Sequence, residues 1–217
     1  MRFSLEDSSY SGTMIEVPQV RVAPIDTSQR IERSALRLFY ARGYEGTSVR
    51  KIAAGADIAV ATMFHHYPTK SVILETLLHR IVDQIQNELE DALVDAANPA
   101  DRLSRFVRVV VIAHCLRSDE SFVAERELRF LPPAAQDPIL AKRRMIRAQI
   151  HDIVEAGRNA NLFLVDENRT AAIAILTMCT SVASWYRKER DLDPETLAGH
   201  YIDYARQIVR FDPTVSI

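Results

Sequence analysis

From Asp26 to Ile208 apolar residues recur every three or four positions, and that rhythm is cut again and again by cap-and-break signals. Such a pattern folds as helices packed on helices. Asp26-x-x-Gln29 has the form of a capping box, and Ile31, Ala35, Leu38 and Phe39 follow it as one stripe that ends at Gly43, a left-handed cap. Thr47 caps a short second helix over 48–54, the turn Gly55–Asp57 follows, and a third helix spans 59–66 before Pro68 stops it. Thr69 then caps a long fourth helix carrying Leu74, Leu77, Leu78, Ile81, Ile85 and Leu89. Asn98-Pro99 and Asp193-Pro194 each read as an N-cap followed by proline at the first helical position, and Pro132-Pro133 breaks the chain between two further helices. The stripe of the last helix is Leu197, Tyr201, Tyr204, Ala205 and Ile208. The expected fold class is all-α, with about nine helices and no strand.

Several classes of function are excluded at this level. No stretch reaches the ~18 uncharged apolar residues of a membrane-spanning helix. The opening residues 1–25 lack periodicity, carry two early acids, and read as a flexible extension rather than a secretion signal. Two cysteines among 217 residues make neither a disulfide framework nor a zinc quartet. The expectation is a cytoplasmic protein with no cofactor and no metal. There is no phosphate-cradling glycine loop, no H-E-x-x-H and no G-x-S-x-G, so the chain is not expected to be an enzyme.

Charge is unevenly distributed. Between Ser28 and Lys70 seven basic residues (Arg30, Arg33, Arg37, Arg42, Arg50, Lys51, Lys70) face three acids (Glu32, Glu45, Asp57), a local net of +4 in a chain whose net charge is −2. A small basic module on an acidic body suits an anionic partner for the module.

The same segment has the outline of a helix-turn-helix, in which the second helix enters the major groove of DNA. A groove-entering helix must be thin near its start, and Ala59, Val60, Ala61 and Thr62 are small enough to bring backbone close to base edges. Phe64, His65, His66 and Tyr67 follow, and Lys70 opens the next helix. His65 and His66 point about 100° apart on a helix, so one metal cannot easily take both. Tyr67 reads more readily as core than as a DNA contact.

The run TSVRKIAAGADIAVATMFHHYPTKSVILETLL resembles the DNA-binding half of the TetR-type (tetracycline-repressor-like) regulators, over residues 28 to about 80. The resemblance implies backbone phosphate contacts at Thr47, Ser48 and Arg50. It implies base-facing positions at Val60, Ala61 and Thr62, and phosphate contacts at Phe64, His65, His66 and Lys70. Three positions depart from the family pattern. Asp57 stands for the turn glycine, Phe64 for a tyrosine whose hydroxyl would meet phosphate, and Val60 for a frequent lysine or arginine. Asp tolerates a left-handed conformation, and His65 or Tyr67 could supply the missing hydroxyl contact.

The resemblance divides the chain into a flexible extension over 1–25, a DNA-binding domain over 26–70, and an effector-binding and dimerisation domain over 71–217. Its partners are then double-stranded operator DNA, a small-molecule effector and a second copy in a homodimer, with no membrane. The Ala-rich helix from Ala171 to Ser184 has no clear polar face, so it is expected to be buried all round, at a subunit interface or within the chain. Arg105, Arg108, His114, Arg126, Arg129, Arg143, Arg144, Arg147 and His151 lie on faces expected to be partly buried. Phe106, Arg126, Arg129, Arg147, His151, Met178 and Trp185 are the candidate effector contacts. Arginines beside an apolar chamber suit a ligand with an acyl tail and an anionic head. The end of the chain, SWYRKERDLDPETLAGHYIDYA, resembles the subset of the family that answers to acyl-CoA thioesters. The expected function is that of a ligand-responsive repressor. The alternatives are a TetR-like activator, or a sensor of a cationic or aromatic drug-like compound that would use Glu90, Glu125 or Glu155.

Overall fold

The computed structural model describes residues 26–214; the expectation for residues 1–25 lies outside them. Nine helices occur among the described residues: α1 (Thr27–Arg42), α2 (Val49–Gly55), α3 (Val60–His66), α4 (Lys70–Leu93), α5 (Pro99–Leu116), α6 (Ser118–Glu127), α7 (Pro133–Asn159), α8 (Asn168–Trp185) and α9 (Pro194–Ile208). A single 3-10 turn, Leu128–Phe130, links α6 to α7.

Most of the boundary chemistry follows the cap signals. Thr69, Asn98, Glu167 and Asp193 each accept backbone N–H groups at the start of the helix that follows them. Two caps differ from expectation. Asp26 stands at the start of α1 but makes no side-chain cap bond. Ser48, not Thr47, caps α2, accepting from the Lys51 amide. Gly43 closes α1 at φ 73° and ψ 166°, an extended positive-φ conformation rather than the left-handed helical one expected. Only glycine adopts that region without strain.

The three short helices form a unit around Ile31, Phe39, Ile52 and Met63, all without exposure. Glycine at residue 55 lets α2 lie close against α1, since a Cβ there would come 2.4 Å from Ser34 Oγ and push that hydroxyl aside. That hydroxyl is itself buried and donates to the Ile52 carbonyl at 2.9 Å.

In the body α5 is the central helix, packed on α4, α7, α8 and α9. Its buried residues, Leu103, Phe106, Val107, Val110, Val111 and His114 with Ala113 and Cys115 beside them, form one broad inward stripe, while Arg105 and Arg108 look outward. The Ala-rich helix α8 is not buried all round within a single chain. Within the chain α8 buries only Ala171, Ala172, Ile175, Cys179 and Val182, and leaves Ile173 half exposed. In α9 the buried stripe is Leu197, Ala198, Ile202 and Ala205; of the expected residues Leu197 and Ala205 are buried, Tyr201 and Ile208 are partly buried against the core, and Tyr204 is 51% exposed.

Candidate nucleic-acid interface and effector chamber

The helix-turn-helix is fixed from its backbone outward. Asp57 takes φ 55°, the left-handed turn conformation for which it stands in place of glycine. The turn is held to α1 by Arg30, whose Nη2 donates to the Asp57 carbonyl at 2.9 Å, and by Arg37, which donates to the Gly55 carbonyl at 3.3 Å. Ile52, Ala53, Ala56 and Met63 face inward. That leaves Ser48, Arg50, Lys51, Ala61, Thr62, Phe64, His65 and His66 exposed, with Val60 half-buried at the foot of α3. The outward surface has small side chains at the start of α3, aromatic and imidazole groups at its end, and cations on α2. His66 is partly engaged, its Nδ1 lying 3.1 Å from the Ser28 hydroxyl.

Two residues expected at the phosphate face are held inside the module instead. Thr47 is 1% exposed, and its hydroxyl serves the Leu38 and Gly43 carbonyls at 3.2 and 2.9 Å. From the following loop, Thr47 thus ties the chain at Gly43 back to α1 at Leu38. Lys70 is half-buried; its Nζ donates to the Tyr44 and Thr47 carbonyls at 2.7 and 2.8 Å and stands 4.0 Å over the Tyr44 ring. Burial lowers its pKa. It clasps the α1–α2 loop to the start of α4. Tyr67 is core, as the more favoured reading had it, and its hydroxyl donates to Glu32 at 2.7 Å. It cannot replace the hydroxyl that Phe64 lacks. The His65 and His66 rings stand at 84° to each other.

In the body α4, α5, α6, α7 and α8 line a half-open chamber of about 770 Å³. Its floor is the buried apolar group Ile81, Val82, Val110 and Ile146, with His114 as the buried polar member. Its rim carries Arg126, Arg143 and Arg147, and one acid, Glu125. Of the candidate effector contacts, only Arg126 and Arg147 line the chamber. Phe106 is wholly buried core, Arg129 packs over the Phe130 ring, and Met178 and Trp185 lie on another face of α8. His151 sits one turn past Arg147, beside the Asp152 carboxylate; with Glu155 these form the one cluster among the described residues whose donor atoms could meet at a metal. Arg105 and Arg108 are surface groups paired with Asp101 and Glu195. Sequence reasoning marked His114 and Arg143 as charged but did not select them. Their signal was position: 110 and 114, and 143 and 147, stand one turn apart on one helix face.

Module and chamber share α6. Phe122 lines the chamber and meets Tyr40 of α1 edge-on, ring centres 5.0 Å apart. Arg126 lies over the Phe122 ring, 4.5 Å from its centre. Arg80 of α4 bridges Glu32 of α1 and Glu120 of α6 at 3.1 and 3.3 Å.

Residues 31–77 match the family described as bacterial regulatory proteins, tetR family, and residues 96–209 match the tetracyclin repressor-like, C-terminal domain. The chain belongs to the TetR family. Proteins of this family are transcriptional regulators rather than enzymes. Among relatives, the HTH-type transcriptional regulator LuxR of Vibrio harveyi is 32% identical over 74 residues, 34% of this chain and 36% of that one. The HTH-type transcriptional repressor KstR2 of Mycobacterium tuberculosis is 35% identical over 85 residues, 38% of this chain and 42% of that one. The chain thus matches about two fifths of the length of these TetR-type relatives. The KstR2 of Mycolicibacterium smegmatis aligns over 187 residues at 22% identity, 85% of this chain and 91% of that one. Two solved structures share the fold. A tetR-family regulatory protein from Rhodococcus RHA1 gives a TM-score of 0.79 at 28% identity, covering 85% of this chain and 97% of that one. AibR, in complex with isovaleryl coenzyme A and operator DNA, gives 0.77 at 22% identity, covering 86% and 100%. No helix among the described residues of this TetR-family chain is long and apolar enough to cross a membrane.

Proposed function

We propose that this protein is a homodimeric, cytoplasmic repressor that holds operator DNA through residues 26–70 and releases it when residues 71–217 take up a small-molecule effector of the acyl-thioester type. The observation that carries the reading is the shared helix α6, which walls an apolar, arginine-rimmed chamber on one side and docks the helix-turn-helix on the other. AibR, whose fold is similar, is a complex with isovaleryl coenzyme A and operator DNA, which supports the same ligand class here.

The DNA face consists of Ser48, Arg50 and Lys51 for phosphates, and Val60, Ala61 and Thr62 for base edges, with Phe64 and His65 beside them. Thr47 and Lys70 act behind that face by fixing the loop that presents it. Paired half-sites need paired recognition helices about 34 Å apart. A second copy would cover the outward side of α8 and α9, where Trp185 is 40% and Tyr204 51% exposed. The chamber stripe of α8 (Ile173, Thr177, Thr180, Ser184) runs alongside that side.

An effector acts only through its difference in affinity between two states. Two levers reach the DNA module. Along α4, Ile81 stands about 17 Å from Lys70 at 1.5 Å per residue. Through α6, Phe122 touches both the chamber and Tyr40. Three arginines against one acid at the rim favour an anionic head over a cation. Of the acids a cationic ligand would use, only Glu125 lines the chamber, and it lies 3.7 Å from Arg143.

The test is a fluorescence-anisotropy titration with the intergenic DNA upstream of the protein's own gene, against random duplex, at about 150 mM salt. Binding about a thousandfold tighter than to random duplex, relieved by decanoyl-CoA, is the expected result. Tight binding unrelieved by any acyl-CoA overturns the ligand class. Equal binding to both duplexes, together with an empty genome-wide fragment selection, overturns the regulator.

A further inference from the structure

His114 is the one ionisable side chain on the chamber floor. It is 8% exposed, and its Nδ1 lies 2.8 Å from the Val110 carbonyl, one turn back in α5. A carbonyl can only accept, so Nδ1 carries a proton. Burial pushes its pKa down and the nearby Arg117 charge acts in the same direction, against the smaller upward pull of the Val110 hydrogen bond, so the ring is neutral. A neutral imidazole has a single N–H. Nε2 is therefore a bare lone pair, and it has no partner among the described residues. The surrounding floor, Ile81, Val82, Val110 and Ile146, offers nothing that could donate to it. The hydroxyl of Thr180, on the opposite wall, donates to its own helix at the Thr177 carbonyl, 3.2 Å away.

We propose that His114 is the specificity-determining residue of the chamber, and that the apolar part of the effector carries an O–H or N–H that donates to Nε2. The proposal rests on the reading of this cavity as the effector site and deepens it. The ligand has two ends: an anion at the arginine rim, and a hydroxyl-type donor within the body that reaches the floor. An unsubstituted acyl chain would strip Nε2 of any solvent donor and give nothing back, which lowers its affinity relative to the hydroxylated chain.

The test uses the full chain with 15N-labelled histidine and a matched pair of neutral probes, cyclohexanol and cyclohexanone. They have nearly the same shape; the first donates a hydrogen bond and the second only accepts. The expected result is that cyclohexanol binds about 5- to 10-fold tighter, the worth of one neutral hydrogen bond. It should also move the His114 Nε2 resonance away from the bare-lone-pair position. His114→Leu should erase the preference, and His114→Gln, which keeps an acceptor, should retain part of it. Equal binding of the two probes, an Nε2 resonance that cyclohexanol leaves unmoved, or a preference that survives in His114→Leu would each overturn the proposal, as would a chamber that takes neither probe. The wild-type spectrum with and without cyclohexanol is decisive even if a variant fails to fold. Decanoyl-CoA and 3-hydroxydecanoyl-CoA are then compared for release of operator DNA. Failure of both, with the cyclohexanol preference intact, removes the acyl-thioester reading and leaves the role of His114 standing.

Discussion

The Tyr44 amide donates to the Glu127 carboxylate at 3.1 Å, joining the loop after α1 to the last residue of α6. Glu127 is 5% exposed, and the Tyr44 ring beside it stacks on Phe130 at 5.4 Å and carries Lys70 on its face. A chamber wall and a DNA-presenting loop thus share one small buried contact. Tyr44 is the point at which the loop after α1 is fastened to the end of α6.

Phe122→Leu tests that link without opening a large cavity. Operator affinity of the ligand-free protein should stay within about twofold, while the factor by which effector weakens it should fall several-fold, a loss of about 1 kcal/mol of coupling. Anisotropy titrations at zero and saturating effector measure both terms. An unchanged release factor would take Phe122 out of the transmission and leave it to α4 and the Tyr44–Glu127 contact.

Arg50 and Lys70 are both cations of the DNA module, but they should behave differently. Arg50→Ala should weaken binding to all duplexes and reduce the slope of log affinity against log salt by about 1. Lys70→Met should leave that slope intact and instead lower folding stability by about 2 kcal/mol, since it removes two hydrogen bonds and a cation–π contact. Salt series and denaturant unfolding separate the two.

Gly55→Ala places a methyl group 2.4 Å from the Ser34 hydroxyl, where α2 meets α1. The expected cost is about 1–3 kcal/mol from overpacking. The double variant with Ser34→Ala should recover part of it. A melting curve unchanged from wild type would mean that the two helices separate without penalty.

Stability should depend on pH through His114. Its pKa is lowered in the folded chain by burial, so the unfolded chain takes up the proton first. The imidazole's contribution is complete above about pH 6.5 and declines as pH falls below it, by up to 1.4 kcal/mol per pH unit. Urea unfolding between pH 7.5 and 5 should show this loss, and His114→Leu should flatten it.

Helix number, the order of the short and long helices, and the turn at Asp57 were all legible in the sequence, because caps, prolines and the 3.6-residue rhythm are local signals. What was not legible depends on which way a helix turns toward its neighbours. Thr47 and Lys70 match positions that contact phosphate in the family pattern, yet their hydrogen bonds go to carbonyls at the end of α1 and in the loop after it. A pattern records residue type and not the direction of a donor. The chamber was half legible for a similar reason. Arg147 and Phe106 both sit on apolar-flanked faces, but Phe106 lies on the stripe that α5 turns into the core while Arg147 reaches the rim. In α9 the stripe was legible at Leu197, Ala205 and the partly buried Tyr201, but Tyr204 counts as apolar in periodicity while lying on the outer side.

Residue 70 divides the chain conveniently on paper, yet the packing ignores that line. Tyr40 rests on Phe122, Tyr44 on Glu127 and Phe130, and the buried core runs without interruption from Ile31 to Val209. A chimera that joins the first 70 residues to another regulator's body would inherit these aromatic and amide groups without their receptors. Operator choice in this protein is therefore portable only as a composite part. A graft that brings α1 to α3 together with the facing surface of α6 should fold and switch, and one cut at the apparent border should be left with a DNA head that no longer senses the chamber.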